Sequence, residues 1–174
     1  DWTRLAIKTG IGPGPRRNGP PLIFAYGGDG RIVGASGGGT SARISLRDGR
    51  SGDLKNDFAA GDGWPHSVAV SPDGKLVASA SASGLARVSR IADGTLVSEF
   101  AGPNKGAKAL AFSEDGTVLF MGGDSPEVLA RDIARGKEVL RLKTGDDGAL
   151  MAFGNGGTLA LTANGEIRAE AVQE

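Results

Sequence analysis

The 174-residue chain contains no cysteine, which excludes a disulfide framework, a thiolate metal site and a cysteine nucleophile. It also has no dominant charge, because 20 lysines and arginines balance 20 aspartates and glutamates. That balance predicts neither nucleic acid nor a membrane surface as a partner. No apolar run approaches the roughly 20 residues that a membrane-spanning helix needs. The sequence begins at Asp1 rather than at methionine, from which we expect a processed, excised or partial product.

Side chains suited to catalysis are also scarce. His66 is the only histidine, which excludes a two-histidine metal site within one chain. Its neighbour Ser67 would point to the opposite face of a strand, so the two residues would not form a nucleophile–base pair. The glycine-rich segment 10–14 is not followed by the lysine and serine of a phosphate-binding loop. We therefore expect no catalytic residue, no metal ligand and no cofactor.

Glycine is abundant, with 30 residues, and aromatic residues make up only 5% of the chain, a composition typical of a turn-rich β protein. The clearest stretch runs over residues 64–100, where short apolar or alternating segments are separated by turn residues. Ser71-Pro72-Asp73-Gly74 predicts one turn, since proline presets φ and glycine adopts a left-handed backbone. Ala92-Asp93-Gly94 predicts a second turn. We expect this stretch to form four antiparallel strands in meander order.

The same unit recurs along the chain. The last glycine of its first turn falls at positions separated by 44, 42 and 41 residues, namely Gly30, Gly74, Gly116 and Gly157. These glycines are followed by the apolar runs RIVGAS, KLVASA, TVLFMG and TLALTA. A period of about 40–45 residues with four strands per unit is typical of β-propeller blades. We therefore predict an all-β propeller of four-stranded antiparallel blades, with about four blades in this chain.

The chain resembles the WD-repeat β-propeller family in a divergent form. The resemblance rests on VAVSPDGKLVAS at 68–79, LAFSEDGTVL at 110–119, LRD at 46–48 and ARDI at 130–133. Asp48 and Asp132 stand where the family has the aspartate of its Trp-Asp pair. The tryptophan of that pair is replaced in all four units, by Arg47, Ser89, Arg131 and Glu170, and the Gly-His pair is missing. The buried Asp–His–Ser–Trp network of the family therefore does not form in its usual way.

The repeats predict one propeller domain over residues 1–174, with units at about 21–58, 67–101, 107–143 and 147–171. The last unit has three strands, and the resemblance implies that a lone strand at 2–8 completes it. Three arrangements stay open: a tight four-bladed ring, two copies joined in an eight-bladed ring, or a partial ring completed by another part of a parent protein. We favour a partial or paired ring, because four WD-type blades would have to splay widely to close around one axis.

One face of the predicted propeller is a candidate binding surface. The resemblance implies that protein partners bind where the loops entering each first strand meet the loops between the second and third strands. The residues predicted on this face are Trp64, His66, Arg16, Arg17, Asp124 and Ser83, together with Pro65 and Asn164. Trp64 is the most informative, since tryptophan and arginine are enriched at binding hot spots. The alternative is that Trp64 fills the space between neighbouring blades.

The predicted function is a non-enzymatic protein–protein interaction or scaffold module with a protein or peptide partner. Self-association, or completion of the ring by another chain, is a further expectation. Two alternatives stay open: a sensor or docking propeller within a larger enzyme or multi-subunit complex, and a propeller enzyme with a site in its central channel. The Pro-Asp-Gly turns lie on the opposite face and are expected to be structural.

Overall fold

Fifteen β-strands in four antiparallel sheets form the regular structure of the described residues. The computed structural model describes residues 23–26, 31–36, 42–81, 83–103, 106–123, 125–143, 150–154, 158–163 and 166–171. Of residues 24, 26, 150–154, 158–163 and 166–171, only the backbone is described. The predicted strand at 2–8 lies outside these residues.

The first sheet contains β1 (Ile23–Tyr26), β2 (Arg31–Ser36), β3 (Ala42–Asp48) and β4 (Leu54–Gly61). The second contains β5 (Pro65–Val70), β6 (Leu76–Ser81), β7 (Leu85–Arg90) and β8 (Leu96–Ala101). The third contains β9 (Ala109–Phe112), β10 (Val118–Gly122), β11 (Glu127–Asp132) and β12 (Glu138–Lys143). The fourth contains β13 (Leu150–Gly154), β14 (Thr158–Ala163) and β15 (Glu166–Ala171). Neighbouring strands in the chain are neighbours in each sheet, so every sheet is a meander, and the predicted all-β, four-stranded units are confirmed.

The turn between β5 and β6 forms because side chains and backbone satisfy each other within six residues. The Ser71 hydroxyl donates to an Asp73 carboxylate oxygen at 2.7 Å and accepts from the Leu76 amide at 2.9 Å. The Gly74 amide donates to the Ser71 carbonyl at 2.9 Å. Gly74 has a φ of 70°, a left-handed conformation that glycine adopts at little steric cost. The SPDG signal is therefore a turn stabilised at both ends.

The first strands of successive sheets lie side by side, since β1 packs beside β5, β5 beside β9 and β9 beside β13. The fourth strands β4, β8 and β12 lie at the opposite edges of their sheets. This arrangement is that of propeller blades around an axis, with the first strand innermost. Within the described strands the blades form an open arc and no closed ring.

Apolar cores fill the spaces between adjacent sheets. The first junction, between the first and second sheets, packs Val33, Ile44 and Leu46 against residues of the second sheet that include Val77 and Ile91. Alternate residues of one strand face opposite neighbours, as the two-residue period of a strand requires. The second sheet is therefore buried against two partners at different positions of the same strands, since Val77 belongs to the first junction and Ala78 packs against the third sheet.

The second junction, between the second and third sheets, packs Ala86, Val88 and Phe100 against residues that include Leu119 and Met121. These side chains are all buried. The other face of the third sheet carries a smaller cluster of Ala111, Phe120, Val128 and Ala130. Because β9 packs beside β13, this cluster lies on the side of the fourth sheet.

Candidate interaction surface

Connecting loops meet at one end of the second and third sheets. The Gly102 amide donates to the Gly84 carbonyl at 2.9 Å, which joins the β8–β9 connection to the β6–β7 loop. The Lys108 amide donates to the Gly122 carbonyl at 2.8 Å, which joins the same connection to the end of β10. We call residues 62–66, 83–84, 106–108 and 122–123 the loop end. It corresponds to the face on which the sequence predicted partner binding.

Glycine allows these loops to approach so closely. Gly84 and Gly106 have φ values of 84° and 87°, and a Cβ atom on Gly106 would lie 3.1 Å from the Gly84 Cα. A Cβ atom on Gly123 would clash with the Gly106 carbonyl oxygen. Side chains at these positions would force the loops apart. The loop end is therefore built from backbone packed on backbone.

Trp64 stands at the start of β5 with 44% of its surface exposed. The residue after it, Pro65, is fully buried and pairs with Ser81 on β6. The buried proline therefore fixes the backbone at this point, while nearly half of the indole surface faces solvent. An indole that filled the space between blades would be buried, whereas 44% of the Trp64 surface is exposed.

Of the other residues predicted on this surface, some are described by the structure and some are not. His66 is exposed at a β-bulge between Pro65 and Ser67. Ser83 is exposed in the β6–β7 loop, and its hydroxyl lies 2.8 Å from that of Ser81. Because Pro65 pairs with Ser81, the structure brings Trp64, His66 and Ser83 to one end of one hairpin. Four predicted residues lie outside the described residues: Arg16, Arg17, Asp124 and Asn164.

One ion pair below this surface was not predicted from the sequence. Arg87 on β7 donates from Nε to the Glu99 carboxylate on the paired strand β8. Its guanidinium occupies the space above Gly61, where any Cβ atom would clash with it. Gly61 has a φ of 107° and lies three residues before Trp64. The only signal in the sequence was that Arg87 and Glu99 carry opposite charges on two neighbouring strands. Such pairs are common on exposed sheet faces.

The opposite end of the sheets carries acidic turns. We call residues 48–53, 71–76, 90–95, 113–118 and 132–137 the turn end. Asp115 in the β9–β10 turn repeats the geometry of Asp73, since it accepts from the Ser113 hydroxyl at 2.6 Å. These serine hydroxyls, followed by backbone amides, lower the pKa of Asp73 and the pKa of Asp115 below the ordinary value for aspartate. Hydrogen bonds to a carboxylate stabilise its charged form, which explains the direction. Both carboxylates are acceptors within their own turns.

Asp48 and Asp132, the residues at the aspartate position of the family's Trp-Asp pair, have a similar role in other turns. Asp48 Oδ1 accepts from the amides of Arg50 and Ser51 at 2.9 and 2.8 Å. Asp132 Oδ1 accepts from the Arg135 amide at 2.7 Å. In both cases backbone hydrogen bonds are the largest cause of a lowered carboxyl pKa. Asp48 and Asp132 thus stabilise the turns between third and fourth strands without a tryptophan beside them.

Among the described residues, no three or more histidine, cysteine, aspartate or glutamate side chains are arranged to hold a metal ion. In that same part of the chain, no helix is long and apolar enough to cross a membrane.

Comparison with known proteins gives one family match. Residues 54–88 match the family described as WD domain, G-beta repeat. The matched segment starts at the first residue of β4 and ends within β7, so it joins the fourth strand of one sheet to the first three strands of the next. It also contains Trp64, His66 and Ser83. No curated protein matches the chain by sequence.

Proposed function

We propose that this WD-repeat chain is an interaction module that presents its loop end to a protein or peptide partner. A WD repeat implies a protein-interaction or scaffold role in general, and WD-repeat domains are generally non-catalytic. The assignment of partner binding to the loop end is the more specific part of the proposal.

The observation that carries the proposal is the exposed indole of Trp64 on a fixed backbone. Tryptophan is enriched among residues that dominate binding energy, because it offers a large apolar surface with little flexibility. Burial of Pro65 and the close glycine contacts hold the neighbouring backbone, so a partner would order little of this surface on binding. Preorganisation of that kind raises affinity by lowering the entropy cost of association.

His66 and Ser83 extend the surface with polar groups. Both are exposed beside Trp64, and a hydroxyl or an imidazole can form hydrogen bonds at the rim of an apolar contact. Arg16, Arg17 and Asp124 belong to the same proposal on sequence grounds. The partner that suits these groups is a peptide with an apolar residue for the indole and polar groups on either side.

The experiment selects peptides that bind the wild-type chain from a displayed library and measures their affinity for two variants by calorimetry. The test variant combines Trp64→Ala with Arg16→Ala and Arg17→Ala. The control is Leu96→Ala, which removes an apolar side chain of similar exposure, 52%, from the outer strand β8. We expect the triple variant to bind about tenfold or more weakly, as truncation of hot-spot residues does, and Leu96→Ala to bind normally.

Circular dichroism and thermal melting establish that both variants are folded. A folded triple variant that binds the selected peptides as tightly as the wild-type chain would remove the loop end from the proposal. Equal losses in the triple variant and in Leu96→Ala would place the contact elsewhere on the surface.

A further inference from the structure

A groove opens at the turn end of the first junction. Its volume is about 820 Å³, which is within the range of small-ligand and peptide pockets. The first sheet contributes Arg31, Leu46, Asp48, Lys55 and Asn56, and the second contributes residues 73–76 and 90–92. The groove lies at the far end of β5 from Trp64, about 20 Å along a six-residue strand. It is therefore separate from the loop end.

The floor of the groove is apolar and closed. Leu46 and Ile91 are buried, and Leu76 is half-buried beside them. The Asn56 side-chain amide donates to the carbonyls of Ile91 and Ala92, both at 3.0 Å, and so joins the two sheets beneath the opening. An apolar side chain in the groove would contact this floor, and the Asn56 amide would keep both of its hydrogen bonds.

The rim of the groove is cationic. Four lining residues are basic, Arg31, Lys55, Lys75 and Arg90, whereas two are acidic, Asp48 and Asp73. The carboxylates already accept hydrogen bonds within their turns: Asp48 from two amides, and Asp73 from a hydroxyl and the Lys75 amide. Lys75 forms an exposed ion pair with Asp73 at 3.3 Å, which is weak in water. The net charge of the lining, four basic minus two acidic residues, favours an anionic ligand.

The second junction supplies an internal comparison. Equivalent residues differ by 42 in number between the second and third sheets, and also between the outer strands of the first and second sheets, where Asn56 and Ser98 make the same contact. Lys55 corresponds to Val97, Lys75 to Thr117 and Arg90 to Asp132. The fourth match follows from strand pairing, since Asp48 and Arg90 occupy equivalent positions. Arg31 pairs with Asp48 and Leu76 pairs with Arg90, so Arg31 corresponds to Leu76. All four basic residues are therefore absent from the equivalent positions. The repeat folds without them, so the blade structure does not require the cationic rim.

We propose that this groove binds an acidic segment of a protein partner, with one apolar side chain on the floor and carboxylates on the basic rim. The site is additional to the loop end and does not depend on the function proposed for it. Charge complementarity selects the sign of the ligand, and the apolar floor selects a peptide over a bare anion. The interaction should weaken with salt, since exposed charges are screened within about 3 Å at 1 M ionic strength.

The experiment measures binding of the peptide Glu-Asp-Leu-Glu-Asp-amide, labelled with fluorescein at its amino terminus, by fluorescence anisotropy. The test variant is Lys55→Val with Lys75→Thr, which introduces the residues that the second junction carries and is therefore expected to fold. The matched control is Lys143→Val with Lys137→Thr, the same two substitutions at exposed lysines of the third sheet. We expect about tenfold weaker binding in the test variant and unchanged binding in the control. Trp64→Ala should also leave binding unchanged, which separates this site from the loop end.

Two further probes apply to the wild-type chain alone, so a variant that fails to fold does not remove the test. The peptide with lysine in place of every acidic residue should not bind, and the peptide with serine in place of leucine should bind more weakly. Equal affinity of the test and control variants would overturn the proposal, as would binding of the basic peptide. Saturable binding of inorganic pyrophosphate without binding of the acidic peptide would also overturn it, because the groove would then be a site for small anions.

Discussion

The first and second junctions share one hydrogen bond between their sheets, but they differ at the turn end. In each, a polar side chain on the outer strand bonds to the carbonyl of an isoleucine 35 residues later: Asn56 Nδ2 to Ile91 at 3.0 Å, and Ser98 Oγ to Ile133 at 2.6 Å. Both isoleucines are buried in the core of their junction. Beyond them the first junction opens into the cationic groove.

The comparison distinguishes the contacts that the fold of the repeat requires from the positions at which its residues can vary. A carbonyl acceptor is supplied by backbone, so any donor of suitable length on the outer strand makes the contact, and asparagine and serine both do. The four basic residues of the groove rim are exposed, and substitution of exposed side chains has little effect on folding. The shared contacts therefore indicate the scaffold, whereas the divergent ends indicate where binding surfaces can arise.

The largest effect should come from truncation of the two isoleucines. Ile91 and Ile133 are 3% and 5% exposed, and loss of a buried isoleucine to alanine costs about 2–5 kcal/mol. Ile91 lines the groove, so water can enter the space that its truncation leaves. Ile133 does not line that groove, and we expect the space that its truncation leaves to stay empty. We expect Ile133→Ala to be the more destabilising of the two, as measured by the free energy of unfolding in urea.

Ile91→Val and Ile133→Val are the matched controls, each expected to cost about 0.5–1.5 kcal/mol. A larger loss for Ile91→Ala than for Ile133→Ala would show that the first junction is the more tightly packed one, contrary to this comparison.

A second difference between the junctions concerns the glycines that follow these isoleucines. Gly94 and Gly136 occupy equivalent turns, with φ values of 73° and 69°. A Cβ atom on Gly94 would lie 2.6 Å from Phe58 Cγ and 2.7 Å from Phe58 Cβ, close to a backbone that cannot move away easily. A Cβ atom on Gly136 would meet no atom within 4 Å. Alanine should therefore cost about 1–2 kcal/mol at Gly136, from φ alone, and about 1–3 kcal/mol more at Gly94.

The double variant Gly94→Ala with Phe58→Ala separates the two contributions. Removal of the ring is itself destabilising, but it should reduce the cost of Gly94→Ala in a double-mutant cycle, since Cγ and the ring atoms no longer clash. The cost should stay above that of Gly136→Ala, because Phe58→Ala retains the Cβ atom that lies 2.7 Å from the new methyl group. Additive costs in the cycle would show that Phe58 is not the obstacle. Urea denaturation of the single and double variants gives all of the required free energies.

Much of this fold was predictable from the sequence, because the period of two and the turn residues act locally. Ser71-Pro72-Asp73-Gly74 predicted a turn and a hairpin, and both are present. The number of strands in the described units followed from the recurrence of that signal. The WD-type assignment rested on the same residues and is supported by the match at 54–88.

The sites were less predictable, since they depend on neighbours distant in sequence. Trp64 was identified as a loop residue, but no local pattern indicates that it is exposed while the adjacent Pro65 is buried. The groove joins Lys55 to Lys75 and Arg90 across two sheets, and no local pattern indicates that these side chains share a rim. The predicted roles of Arg16 and Arg17, the completion of the ring and the two enzyme-related alternatives stay predictions.

The smallest expected effect tests the turn end itself, where Asp73 and Asp115 again differ by junction. Asp73 pairs with the Lys75 ammonium, whereas Asp115 accepts from the Thr117 hydroxyl at 2.8 Å. The pKa of each carboxyl is lowered in the folded chain, so the folded state binds fewer protons than the unfolded state. Their stabilising effect is therefore present above the unfolded pKa of about 3.9 and is lost as pH falls through the lowered folded-state pKa.

Asp73→Asn and Asp115→Asn retain the oxygen that accepts the serine and backbone hydrogen bonds, but they remove the titration. Each variant should therefore lose less thermal stability than the wild-type chain as pH falls from about 5 to about 2. Added salt should reduce the effect of Asp73→Asn, because the ammonium contact is exposed and screened, and should leave that of Asp115→Asn nearly unchanged. Equal salt dependence at the two positions would mean that Lys75 contributes nothing to its turn. The ammonium of Lys75 would then be available to a ligand in the groove without loss of a contact to Asp73.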